Sequence, residues 1–515
     1  MADDRLSQLP IPILHHILCF LSQKEAVRTC LLAKQWRHIG STRPNLDFFE
    51  EWFGNAQEKF VSVVDRTLQG YRDQNLSVHK LHLDLSRPEP VVSLLNKWIP
   101  ILALNIKVFK LIFLSYTPAY YKLPSAVFLA ESLEELHLHQ CKVSRVESVR
   151  FKRLRTLTLK EVSVDDGTFE KITSGCPLLR RLVLYCCHRL RNVRLTSPGL
   201  EHFELRDYKR IKPCSIEIYV PNIETVSIRG PCIWCHRQSA FLFSRLTSLD
   251  LNSVILSRES FDLLSFGCPT LERLTVSNCS GFEEFHLASD SVKWLTISTS
   301  KILLKGATIC ASNIVRFEFT ARIPKVPDTF SFTTTTSKEW HSHVILSSVE
   351  KYPDFNVNWW FLKLRRMLKA LSGSQISLVL RLNGGPENVP CSAIVGDEPP
   401  VAVRALNFYS RKLRTASWYM GFTNALFRVC RPSHLCGCWF VDNSGKYRLS
   451  AFQLNILLAD KKVRTEPYSW RHDLEQVFVE TLDGQQWQLM LWTKPENLQR
   501  RKQDGIIRLR LKWSC

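Results

Sequence analysis

"DDGTFEKITSGCPLLRRLVLYCC", residues 165 to 187, carries two kinds of order in one short stretch. A helical segment runs up to Gly175-Cys176-Pro177, and "LRRLVL" from Leu179 then alternates apolar with polar residues as a half-buried strand does. Proline prevents the helix from resuming, and the glycine is expected to close it in a left-handed conformation. "RESFDLLSFGCPTLERLTVSNCS", residues 258 to 280, repeats the same order around Gly267-Cys268-Pro269. Cys176 and Cys268 read as small core hydrophobes.

The strand half of this unit recurs along the chain. It reads "LEELHL" at 133, "LRTLTL" at 154, "LRRLVL" at 179, "LEHFEL" at 200, "IETVSI" at 223, "LTSLDL" at 246, "LERLTV" at 271, "VKWLTI" at 292 and "IVRFEF" at 314. Weaker copies start at Val78 and Val108. The steps from Leu133 onward are 21, 25, 21, 23, 23, 25, 21 and 22 residues, the period of a leucine-rich repeat. One repeat cannot bury its apolar edge alone, so neighbours are expected to stack into an α/β solenoid, a horseshoe whose parallel strands line its concave side. The residue between the last two apolar positions of each copy then faces solvent: His82, Ile112, His137, Thr158, Val183, Glu204, Ser227, Asp250, Thr275, Thr296 and Glu318. Beside that row stand Arg181, Tyr185, Arg206, Arg229, Arg273, Trp294 and Arg316, residue types that dominate protein interfaces, and these are the candidate substrate-binding residues.

Composition bounds the alternatives. With 45% hydrophobic and 23% charged residues the chain is of a folding, globular type. Its 17 cysteines are scattered, which suits reduced core thiols and an intracellular setting better than a disulfide framework. Asp3 and Asp4 stand where a secretory signal carries positive charge, and Lys107 and Lys110 interrupt the most apolar span, so neither export nor a membrane crossing is expected. The net charge of +21 raises a polyanion-binding alternative. Its densest groups, "FLKLRRMLK" (361 to 369) and "LQRRKQDGIIRLRLKW" (498 to 513), alternate with apolar residues as solvated faces do, so nucleic acid is not the expected partner.

Ahead of the repeats, Ile13, Leu14, Ile17, Leu18 and Leu21 lie at helical spacing after Pro10 and Pro12, and Ala26, Val27, Cys30 and Leu31 repeat that spacing after "SQKE". Two short amphipathic helices must cover their stripes against the first repeat or against another protein. The first option makes the chain a stand-alone repeat scaffold.

"DRLSQLPIPILHHILCFLSQKEAVRTCLLAKQWRHI", from Asp4 to Ile39, resembles an F-box of the plant type, through Leu9, Pro10, Ile13, Leu14, Ile17, Leu18, Phe20, Leu21, "AVRT" at 26 to 29, Lys34, Trp36 and Arg37. An F-box followed by repeats with a "CP.L..L.L..C" pattern resembles the plant F-box/leucine-rich-repeat family. That resemblance implies a substrate-recognition subunit of an SCF-type, cullin-based ubiquitin ligase, working in the nucleus or cytoplasm without catalysing a reaction or holding a cofactor. Leu9, Pro10, Leu14, Ile17, Leu18, Leu21, Val27, Cys30 and Trp36 are then expected at the contact with a Skp-type adaptor, and the repeats hold a protein substrate.

The expected divisions are an F-box over 1–50, the solenoid over 51–324 and an α+β cap over 325–515, similar to the FBD domain of some family members. Within the cap, Phe361, Leu364, Leu368 and Leu371 form a helical stripe, "LEQVFVETLDGQQWQLMLW" (474 to 492) reads as a hairpin turning at Asp483-Gly484, and "IIRLRLKW" (506 to 513) adds a strand. Cys232, Cys235 and His236 spell a haem-attachment pattern, but in a chain expected to be intracellular. Cys430, His434, Cys436 and Cys438 have zinc-ligand types without a standard spacing, so no metal is expected. No phosphate-binding glycine loop, GxSxG elbow or HExxH occurs, so neither sequence pattern nor resemblance points to an enzyme.

Overall fold

A computed structural model describes residues 9–21, 23–29, 36, 39–40, 42–54, 56–114, 120–208, 212–234, 243–257, 267–300, 303–336, 339–348, 357–382, 398–410, 416–441, 447–449, 470–483, 486–490 and 507–514. The chain divides into two compact units, Met1–Leu246 and Thr247–Cys515.

In the first unit eight strands pair in chain order, every one parallel to the last: Asn45–Phe49, Lys80–Leu85, Val108–Phe113, Glu135–His139, Thr156–Lys160, Arg181–Tyr185, His202–Arg206 and Thr225–Trp234. The spacing dictates this result. Every apolar position of the nine copies from Leu133 to Phe319 is at most 3% exposed, so each repeat places three side chains in the core of its own unit. Burial of each stabilises the stack by about 1.5–3 kcal/mol. The entry to each strand is also repeated. Arg180 and Arg181 both donate their backbone N–H to the Arg155 carbonyl, each at 2.9 Å, and Glu201 and His202 do the same to Arg180. The residue after the strand turns the chain: Gln140, Glu161 and Cys186 all sit at positive φ, each donating its N–H to the next repeat. Cys187 and Cys279, from the "L..C" pattern, are buried with their thiols directed at the carbonyls of Leu159 and Leu251.

The two weak copies divide in register. Leu81 and Leu83 lie opposite Phe109 and Leu111, so the second weak copy starts at Ile106, not Val108. Lys110 therefore occupies the middle row beside His82 and His137, and Ile112 belongs to the next row beside His139. A further copy precedes them all. Leu46 and Phe48 pair with Leu81 and Leu83, which puts Arg43 where the copies from Val78 to Ile314 carry an apolar residue.

The helix before Gly175 is present over Asp166–Ser174, capped by Asp165, whose side chain accepts from the Thr168 N–H at 2.9 Å. Gly175 itself has φ −79°, so the expected left-handed close does not occur. The glycine is required by space instead: a Cβ there would stand 2.8 Å from Val149 Cγ1. Cys176 and Cys268 are buried as expected, and burial pushes both thiol pKa values up to about 12. The helix expected before Gly267 lies outside the described residues.

In the second unit the parallel ladder runs Ser248–Leu256, Arg273–Ser277, Trp294–Ser298, Arg316–Arg322, His341–Ser348, Gln375–Leu382, Val401–Ser410 and Cys430–Val441. The boundary expected at 324 thus falls inside a continuous ladder. Strands from 341 onward are joined by longer connections, among them the helices Val357–Ala370 and Ala416–Val429, and this length hides the period without disturbing the pairing. Phe361, Leu364, Leu368 and Leu371 are all fully buried. The hairpin is present, Leu474–Asp483 against Gln486–Met490, and Ile507–Trp513 joins it antiparallel and pairs with Cys430–Val441, ending the ladder. Among the described residues no helix is long and apolar enough to cross a membrane.

Candidate functional site: a helical edge and a ladder face

The N-terminal module begins with α1 (Ile11–Cys19), entered through Pro10 and Pro12, and continues with α2 (Gln23–Thr29). Leu14, Leu18, Ala26, Trp36 and Ile39 form its core, with Leu9, Ile17 and Leu21 packed partly buried against it. Of the residues expected at an adaptor contact, Leu14, Leu18 and Trp36 therefore close the module on itself. Leu9, Ile17 and Leu21 keep partial exposure, Pro10 is exposed, and the side chains of Val27 and Cys30 lie outside the described residues. The accessible apolar surface is elsewhere on the helix. Ile13 is 47% and Phe20 78% exposed, with His16 between them, edge-on to Phe20 at 5.0 Å. Positions 13, 16 and 20 share one helical stripe, turned away from the stripe of 14 and 18. Sequence periodicity contains both stripes, but it does not say which one the module uses for its own core.

Arg43 fixes this module to the first repeat. Arg43 is 1% exposed; its Nη1 donates to the carbonyls of Leu18 and Leu21 at 3.3 and 3.4 Å, and its Nε to that of Asn45 at 2.8 Å. The negative end of α1 thus meets a buried cation. Asp47 answers that charge at 3.5 Å and is also reached by Lys80 at 2.8 Å and His82 at 3.5 Å. Burial pushes the Asp47 carboxyl up, and hydrogen bonds from His82 and Lys80 with the charges of Lys80 and Arg43 outweigh it, leaving a pKa of about 2. From the other side the buried Tyr71 hydroxyl donates to the Arg43 carbonyl at 2.6 Å, and burial raises the Tyr71 pKa to about 12. His15 Nε2 and Thr42 Oγ1, 3.0 Å apart, add a second tie.

The seven ladder residues expected at a substrate surface all occupy the solvent-facing side of their strands. In the first unit Tyr185, Arg206 and Arg229 stand side by side across three strands, while Arg181 sits at the opposite end of its own strand beside His202. Arg206 is held by Glu204 in an ion pair, and His202 contacts Thr225 at 2.6 Å. In the second unit Arg273, Trp294 and Arg316 form one row, with the Arg273 guanidinium 5.1 Å from the Trp294 ring centre. The row continues into His341 and Gln375, which sequence periodicity did not reach. Cys232 is buried 3.2 Å from Cys214 Sγ, and Cys235 and His236 lie outside the described residues. Cys430 is fully buried, with its thiol pKa pushed up to about 12, whereas His434 and Cys436 are partly exposed. Among the described residues no three ligand types converge on a point where a metal could sit.

Comparison with known proteins finds the same two parts. An F-box domain model matches residues 6–47, and a model described as the LRR repeats of FBD-associated F-box protein At5g56370 matches residues 95–239 and 220–314. F-box/LRR-repeat protein 25 of Arabidopsis thaliana is 30% identical over 241 residues, 45% of this chain and 89% of that relative. The chain belongs to the F-box/LRR-repeat family. Two further family members from Arabidopsis thaliana are matched over part of their length. F-box/LRR-repeat protein At3g59200 is 30% identical over 50% of this chain and 49% of its own, and F-box/FBD/LRR-repeat protein At3g26920 is 34% identical over 36% and 42%. The chain thus spans about half the length of these two relatives. The matched F-box covers both helices and Arg43, so the clamp lies at the seam between the two parts that define the family.

Proposed function

We propose that this protein is the substrate-recognition subunit of an SCF-type ubiquitin ligase, acting in the nucleus or cytoplasm. The F-box engages a Skp-type adaptor and through it a cullin, while the ladder face holds a protein substrate. The chain makes and breaks no bond itself; it raises the local concentration of substrate lysines near a ubiquitin-charged enzyme. The observation that carries this reading is the bare stripe of Ile13 and Phe20 on a module whose described core, Leu14, Leu18, Ala26, Trp36 and Ile39, lies on another side of the helix. A helix that merely capped the solenoid would have no use for two large apolar side chains in water. Clamping by Arg43 and docking by the stripe use different parts of α1, so both can hold at once. We also read residues 325–515 as FBD-like, supported by the FBD association in the name of the matching repeat model.

The test is adaptor capture by the full chain carrying Ile13→Asp with Phe20→Asp. Burying these two side chains contributes about 3–5 kcal/mol, so a weakening of roughly a hundredfold to a few thousandfold is expected in Kd, with unchanged circular dichroism because both sites are exposed. Adaptor bound at wild-type affinity by the double variant would remove the reading.

A further inference from the structure

On the solvent-facing side of the second unit's ladder lies an open cavity of about 640 Å³, within the size range of ligand sites. Its floor is the row Trp294, Arg316, His341 and Gln375, and its walls add His343, Arg404, His434 and Arg508. Six of its lining residues are arginine or histidine and none is aspartate or glutamate.

The cations differ in how far they are already neutralised. Arg508 is spoken for, since its Nε donates to Glu480 Oε2 at 2.6 Å. Arg316 reaches Glu318 only at 3.8 Å and remains largely exposed. Arg404 pairs with no carboxylate among the described residues: Nη1 contacts His341 Nε2 at 3.3 Å and donates to Gln375 Oε1, and its own carbonyl faces His434 Nδ1 at 3.2 Å. Burial, opposed by Glu318 and reinforced by Arg316 and Arg381, draws the His343 pKa below the usual imidazole value, as expected where positive charge is crowded.

We infer that this cavity takes a phosphomonoester borne on a peptide, bound by Arg404 and Arg316 with the neighbouring imidazoles as further donors. A phosphate presents three acceptor oxygens to donors converging from four strands, and guanidinium groups pair with it through two parallel hydrogen bonds. A single carboxylate would leave most of those donors unused. The cavity is far larger than one phosphate, and it is continuous with the Trp294 and Arg316 row, so room remains for the flanking peptide. The inference rests on the reading of the ladder face as the substrate side. It narrows the substrate class to phosphorylated segments.

The full chain is immobilised and exposed to two degenerate nine-residue peptide libraries, one with phosphoserine at the centre and one with serine. Retention of the phosphorylated library at least tenfold above the other is expected, with loss of that preference in Arg404→Gln and in Arg316→Gln. Arg366→Gln, an exposed charge removed from the helix Val357–Ala370, should keep it. Equal retention of the two libraries overturns the inference, as does a phosphate preference that survives both cavity variants. Should one variant fail to fold, the other decides. Sodium tripolyphosphate is run in parallel: a raised melting temperature with it, without any retained phosphopeptide, would make the cavity a small-anion site and overturn the peptide assignment. Adaptor capture by the same preparations keeps the two proposals separate, because a chain that captures adaptor but ignores phosphate refutes only this one.

Discussion

Replacing Arg43 by alanine should uncouple the F-box from the repeats without unfolding them. The guanidinium holds three carbonyls, at 2.8 Å to Asn45 and 3.3 and 3.4 Å to Leu18 and Leu21. Hydrogen bonds from a charged donor contribute about 1.5–3 kcal/mol at good geometry, so we assign that range to the short contact and about 0.5–1 kcal/mol to each long one. Asp47 keeps Lys80 and His82 and is not left alone, which spares the larger loss of an orphaned buried carboxylate. The sum is about 2.5–5 kcal/mol, concentrated where α1 meets the first strand. Amide hydrogen exchange reads this directly: protection over Leu14 to Leu18 should fall by roughly a hundredfold to a few thousandfold, while amides of the strand Arg181–Tyr185 stay unchanged. Arg43→Met keeps most of the side-chain volume and should lose nearly as much protection, which separates lost donors from lost packing. A change of less than tenfold in α1 for both variants would refute the clamp.

Two other outcomes follow from single contacts. Gly175→Ala should cost about 1–3 kcal/mol in urea denaturation, because the new methyl group would press on Val149 while the φ of −79° itself suits alanine; a neutral result would mean Val149 moves aside freely. Asp47, with a folded pKa near 2 against an ordinary 3.8, should stabilise the first unit fully above about pH 4 and lose that contribution as pH falls toward 2. Asp47→Asn should accordingly cost about 2 kcal/mol at pH 7 and almost nothing at pH 2, and an equal cost at both would exclude the charge as its cause.

The repeats were legible because each carries its own instructions. An apolar triplet at fixed spacing makes a strand whose neighbours must supply the other half of its core, and Leu179, Leu182 and Leu184 are buried for the same reason as Leu271, Leu274 and Val276. Where that signal weakens, alternative registers compete. Ile106, Val108 and Ile112 are all apolar, so the local pattern admits two registers, and only pairing with Leu136 and Leu138 chooses between them. The missed strands from His341 onward have a related cause: hydrogen bonds between strands are indifferent to the length of the connection, whereas a search for a 21-to-25-residue step is not.

The amino-acid order alone determined the strand positions, the core residues of nine repeats, the cysteine environments at 176 and 268, and the presence of two N-terminal amphipathic helices. Tertiary structure decided which side of α1 is bare, that a charged residue fills the first repeat's apolar place, and that Arg404 joins Arg316 around one cavity. Burial patterns along a chain record that a side chain avoids water; they do not record whether its cover comes from its own module, a distant repeat or another molecule. Those distinctions depend on which segments meet in space: Arg43 meets the carbonyls of Leu18 and Leu21, whereas Phe20 stays 78% exposed.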